Sequence, residues 1–223
     1  MIAGWPCPGP SGQSEEYALA FDRGRARRLL IVPALFDEAN RMRRMLVETM
    51  RLLDDAGIDS FLPDLPGCNE SLQAFEAQSL HGWRMAMQQA ELHFGASGVL
   101  AVRGGALVCP VALPGFLLEP TKGSSILRQL LRARTIAARE AGLHEDSAAL
   151  LEQGRTEGLE LAGYRFGASL IAGLQDASPQ LEGQRIIAQS ELGGGGLWLR
   201  AEPAAAPEQS AALAKLIAAG LGA

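Results

Sequence analysis

The chain has 223 residues, of which 48% are hydrophobic and 20% charged, with a formal net charge of −5. That is enough apolar material for one well-buried domain, and the acidic balance argues against a general nucleic-acid binder. Met1–Gln13 is rich in Pro and Gly and lacks the basic start and apolar run of a signal peptide, and no apolar run reaches membrane-spanning length, so a cytoplasmic protein is expected.

In chain order, apolar runs of strand length alternate with helical patterns, which predicts an α/β protein with a mainly parallel sheet and helices on both faces. Tyr17–Asp22 and Leu29–Val32 read as strands separated by the polar run Arg23–Arg28. Arg41–Ala56 follows as a helix, with Met42, Met45, Leu46, Met50 and Leu53 near helical spacing and Gly57 as its stop. Ile58–Leu62 is the next strand, Leu80–Phe94 a helix, Val99–Val102 the central strand and Phe116–Leu118 a further short one. Ser124 or Ser125 can cap a long helix reaching about Ala141, and Asp146–Gln153 makes another. Glu160–Arg165 reads as a strand or hairpin arm before the helix Ala168–Leu174. Arg185–Gln189 and Leu197–Leu199 are predicted as the last strands, joined by the flexible run Gly193–Gly196, and Glu208–Leu221 closes the chain as an Ala-rich helix. No internal repeat is visible, so 1–223 reads as a single domain, with 123–176 as a helical lid insertion.

The stretch Gly98-Val99-Leu100-Ala101-Val102-Arg103-Gly104-Gly105-Ala106 has the form of a nucleophile elbow without a nucleophile. The motif G-x-S-x-G needs small residues around a serine on a sharp strand-to-helix turn. Ala101, Gly105 and Ala106 hold those places, but the apex is Arg103, whose guanidinium stays protonated and cannot attack a carbonyl. Pro110 and Pro114 leave the helix after the turn little room.

The run Pro33-Ala34-Leu35-Phe36-Asp37-Glu38-Ala39-Asn40-Arg41-Met42-Arg43-Arg44-Met45, then Asp64-Leu65-Pro66-Gly67-Cys68-Asn69-Glu70-Ser71, Trp83, Arg103 with its glycines, and Glu119-Pro120 before Leu127–Arg132 together resemble one family. It is the second type of α/β-hydrolase-fold protein associated with the exosortase A system, and the likeness runs from about residue 17 to the end. The resemblance implies an α/β-hydrolase fold and a setting in bacterial exopolysaccharide and protein-sorting loci, with no established substrate. The sequence departs from the family at Asn69, where a glycine is usual. It departs from serine hydrolases at large because no histidine follows His144, so the loop Arg200–Pro203 after the last predicted strand cannot supply a general base.

Two readings of Arg103 stand side by side. Its planar fork suits a carboxylate or phosphate at the carboxyl edge of the sheet, with Gly104, Ala34, Leu35, Asn40 and Glu119 as the rest of a ligand-binding set for an anionic or acyl-bearing small molecule. Alternatively it is tied down by a carboxylate of its own chain, for which Glu38, Asp64 and Glu119 are placed. Ala34 and Leu35 hold the place of an oxyanion-hole loop, and Asn40, Arg43 and Arg44 could face the same pocket. The rival is an enzyme of unorthodox mechanism, a hydrolase or acyl transferase using Cys68, Glu38 or His144, and a third option is an interaction module with a collapsed pocket. Cys7, Cys68 and Cys109 form no C-x-x-C pair and the three histidines show no ligand spacing, so free thiols, no metal and no cofactor are expected. The predicted helix from Ser125 carries Arg128, Arg132, Arg134 and Arg139 against Ile126, Leu127, Leu130 and Leu131. This favours a lid or a homodimer surface over membrane contact.

Overall fold

The computed structural model describes residues 1–10 and 12–221. The strands are Ile2–Gly9 (β1), Gly12–Phe21 (β2), Arg28–Val32 (β3), Asp59–Pro63 (β4), Gly98–Val102 (β5), Gly115–Leu118 (β6), Leu159–Leu161 (β7), Tyr164–Phe166 (β8) and Arg185–Ile187 (β9). Seven of them form one sheet in the order β1-β2-β4-β3-β5-β6-β9, while β7 and β8 make a separate hairpin. From β4 through β3, β5 and β6 to β9 the pairing is parallel, and only β1 and β2 join antiparallel. The helices are Asp37–Asp55 (α1), Leu80–Phe94 (α2), Gly123–Glu140 (α3), Ser147–Glu157 (α4), Ala168–Asp176 (α5), Gln189–Leu192 (α6) and Pro207–Gly220 (α7). No helix among the described residues is long and apolar enough to cross a membrane.

The continuous apolar runs of β3 and β5 are buried on both faces, as parallel strands covered by helices on either side must be. Successive residues point to opposite faces. Leu30, Val32, Val99 and Ala101 therefore join the cluster that contains α2, α3 and α5, whereas Leu29, Ile31, Leu100 and Val102 join the one under α1 and α7. In α1 the spaced Met42, Met45, Leu46, Met50 and Leu53 are all buried as their periodicity predicts. Ser79 caps α2 by accepting from Gly82 N at 3.0 Å, and Asp146 caps α4 by accepting from Ala149 N at 2.9 Å.

Three sequence expectations need correction, and one strand lies where the sequence reading placed none: β1 pairs along its length with β2. Trp5 and Cys7 point into the core, and Pro6 and Pro8 fall on this edge strand opposite Glu15 and Gln13, where a missing ladder donor is tolerated. Leu197–Leu199 is a single 3₁₀ turn rather than a strand, with only Leu197 fully buried, so its apolar run lacks the two covered faces of a parallel strand. Arg185–Gln189 shortens to β9, and Gln189 already opens α6. Finally, α1 begins at Asp37, four residues before the predicted Arg41, because the polar Asp37, Glu38 and Asn40 interrupt the apolar spacing without breaking the helix. The segment between β6 and β9 is built of α3, α4, the β7–β8 hairpin and α5, with the helix boundaries Gly123 and Asp176. Its halves pack closely at glycines: a Cβ on Gly123 would lie 2.1 Å from Leu174 O, and one on Gly154 would lie 2.7 Å from Ile171 Cδ1.

Candidate functional site

Arg103 is the first residue beyond β5 and holds φ at +54°, the left-handed region that side chains other than glycine seldom adopt. The chain then makes one 3₁₀ turn, Arg103–Leu107, in place of a long helix. A Cβ on Gly105 would stand 2.3 Å from Pro33 O, so the turn is wedged against the β3–α1 loop and only glycine fits there. The tight turn of an elbow is thus present, with its following helix reduced to a single 3₁₀ turn.

The apex side chain is consumed by its own protein. Arg103 is buried, with Nε and Nη2 donating to the two carboxylate oxygens of Glu38 at 3.1 and 3.2 Å. Nη1 donates to the backbone carbonyl of Glu119 at 3.0 Å, and the guanidinium lies 4.3 Å over the ring of Trp198. A fork–fork pair with a further carbonyl and an aromatic face leaves no guanidinium nitrogen unengaged. Of the carboxylates placed near it by sequence, Glu38 is therefore the partner. Glu119 contributes its carbonyl, while its side chain accepts from Gln189 N at 2.6 Å. Asp64 turns elsewhere, accepting from Arg43 Nη1 at 3.0 Å and from Asn69 Nδ2 at 2.6 Å. Asn69, where a glycine was expected, has φ at +50° and so fills a left-handed position that asparagine tolerates best among larger residues.

Strained backbone gathers at this edge of the sheet. Among the described residues five non-glycines have positive φ: Phe36, Asn69, Arg103, Glu119 and Ala162. The first four follow β3, β4, β5 and β6 respectively, and Ala162 is the tip of the β7–β8 hairpin. Such conformations persist only where the surroundings over-determine them, and they cluster at ligand sites. Phe36 is held by rings on every side, with centroids of Phe75, Trp83, Tyr164 and Phe166 at 6.2, 6.0, 6.0 and 4.9 Å.

Above the elbow is a cleft of about 300 Å³ between α1, α3, the hairpin tip and the 3₁₀ turn at Trp198. Leu35, Phe36, Ile126 and Leu130 give it apolar walls, and Asp37, Glu38, Arg41 and Gln129 give it polar ones. Arg103 does not line it and sits beneath Glu38 and Trp198. Gly104 is buried with its Cα side against Leu35 and Ile126. Ala34 faces instead a smaller cavity of about 80 Å³, shared with Cys68, Asn69, Trp83 and Tyr164. Asn40 and Arg44 are exposed, Arg44 pairing with Glu48 on its own helix, so neither adds to the cleft. Sequence reasoning missed Phe36, Arg41, Ala162 and Trp198. The positive φ values are invisible in residue types that do not favour them, and Trp198 comes from the turn misread as a strand.

The groups offered for chemistry are dispersed. His81 and His93 are exposed on α2, and His144 is exposed in the α3–α4 loop. Burial, reinforced by the negative charges of Asp64 and Glu16, pushes the Cys68 thiol up to about 12. At neutral pH it is therefore not a thiolate, the form that attacks.

No family model matches the sequence, and no curated protein matches it. Solved structures do match. The chain aligns over 84% of its length with 77% of the alpha/beta hydrolase domain-containing protein 10 from mouse, at a TM-score of 0.50 and 10% identity. It aligns over its full length with the whole of DcsB, a structure solved with a substrate analogue, at a TM-score of 0.54 and 10% identity. A candidate hydrolase from Agrobacterium vitis S4 matches at 18% identity and a TM-score of 0.47 over 62% of this chain, which spans 60% of that protein. The strand order, the parallel centre and the likeness to the mouse alpha/beta hydrolase domain-containing protein give the chain the α/β-hydrolase fold.

Proposed function

We propose that this α/β-hydrolase-fold protein is a non-catalytic binding protein, which takes an acyl-bearing small molecule in the cleft between α1 and α3. The observation that carries the reading is the apex of the elbow. A protonated, internally paired Arg103 occupies the nucleophile's place, and all three histidines are exposed away from it, so neither half of a serine-hydrolase proton relay is at hand. The strained loops around the cleft support retention of a binding site there. In this reading Arg103 acts as a structural lock that fixes Glu38 and Trp198 beneath the ligand rather than as its anchor. Leu35, Ile126 and Leu130 take the apolar part, and Arg41 and Gln129 take the polar end. The setting in envelope-export loci is part of the same proposal and rests on the sequence resemblance.

The test is hydrolysis of short- and long-chain acyl esters and thioesters by the purified protein beside Arg103→Ser, Glu38→Gln and Cys68→Ala. No turnover above a contaminant control is expected from any of the four. Turnover by the native protein that Glu38→Gln or Cys68→Ala abolishes would replace the binding reading with an enzyme of unorthodox mechanism. A thermal-shift screen of uncharged acyl esters and thioesters completes it: stabilisation is expected, and it should disappear in Ala133→Trp, which fills the cleft from an exposed position.

A further inference from the structure

A second groove lies on the opposite side of α3 from the elbow cleft. The cleft takes Ile126, Gln129, Leu130 and Ala133, whereas this groove takes Ser124, Leu127, Arg128, Leu131 and Arg132, a stripe three and four residues apart on the other helix face. Its far wall is the start of α4, with Ser147, Ala148 and Leu151, and Gln175 closes it from α5. The volume is about 370 Å³, within the roughly 300–1,000 Å³ of small-ligand sites.

Its chemistry is that of a receptor for an amphiphile. Leu127 and Leu131 are buried and, with half-buried Leu151, form an apolar floor. Arg128 and Arg132 stand at its margin one helical turn apart. Neither makes an ion pair among the described residues, whereas Arg134 on the same helix pairs with Glu145. Two hydroxyls, Ser124 and Ser147, lie alongside.

We propose that this α3–α4–α5 groove binds a single-chain anionic amphiphile. Its acyl chain lies along Leu127, Leu131 and Leu151, and its carboxylate or phosphate head is held by Arg128 and Arg132. The site is separate from the elbow cleft and does not rest on the function proposed for it.

Calorimetric titration of the whole protein with dodecyl phosphate and with 3-hydroxydecanoate, each below its micelle-forming concentration, tests the inference. Saturable one-to-one binding is expected for both. It should weaken at least tenfold in Arg128→Gln/Arg132→Gln and vanish in Ala148→Trp, with melting temperatures unchanged because these positions are exposed. Ala133→Trp, which blocks the elbow cleft and does not line this groove, should bind normally. No binding of either amphiphile, equal binding of inorganic phosphate alone, or binding indifferent to the arginine pair would overturn the proposal. So would association with phosphatidylglycerol vesicles without binding of the monomers, which would make the same arginines a membrane-facing surface.

Discussion

At the scale of single residues, the elbow is a lock with measurable strength. Arg103 and Glu38 are both largely buried, their side chains 10% and 15% exposed. Removing one member strands the other, at about 3–5 kcal/mol for a fully buried pair. For Arg103→Ala a loss of about 3 kcal/mol is expected, the low end because Glu38 keeps some access to water. Arg103→Gly should fare better by about 1 kcal/mol, since the left-handed backbone costs glycine nothing. Chemical denaturation of the two variants checks both statements, and equal stabilities would mean that the backbone at 103 is unstrained. The thiols give a second expectation at this scale. Burial raises Cys7, Cys68 and Cys109 to about 12 in each case. All three should react with a disulfide reagent at pH 8 far more slowly in the native protein than in the unfolded chain, and one fast native thiol would contradict the burial described.

At the scale of elements, the run Arg23–Arg28 is more than a solvated connection between β2 and β3. Arg23 pairs with Asp54 at 2.7 Å, Arg25 with Asp54 at 2.7 Å and Asp59 at 3.0 Å, and Arg28 with Asp22 at 2.9 Å and Asp59 at 3.1 Å. This ties the end of α1 and the first residue of β4 to the β2–β3 connection and the start of β3. The paired guanidiniums hold Asp22 and Asp54 at about 2, below the ordinary 3.8. A carboxylate held low when folded stabilises above its unfolded value and loses that contribution as it is protonated. Stability from this network is therefore complete above about pH 4 and fades as the pH falls toward 2. Asp54→Asn should flatten that acid limb in a series of melting curves, whereas an unchanged limb would assign acid loss to other carboxylates. The sequence reading places the helices α1, α2, α3, α5 and α7 and the central strands because their apolar periodicity is strong. It misses β1 because proline and glycine conceal a strand whose only inward side chains of size are Trp5 and Cys7.

At the scale of the molecule, the missing nucleophile and the missing late histidine are readable from residue types alone. The partner of Arg103 is not, because Glu38 and Arg103 are 65 positions apart and three carboxylates compete for the role. Nor are the clefts, which depend on how α3 sits between the sheet, the hairpin and α4. The sheet itself ends in two unlike edges. β9 is three residues long, and on β1 the prolines at 6 and 8 share one parity, so their absent N–H groups fall on the outward side of the ladder. Both margins therefore offer little for another chain to copy: β9 is short, and the outward row of donors on β1 is broken at two of its positions, which works against the merging of two sheets edge to edge.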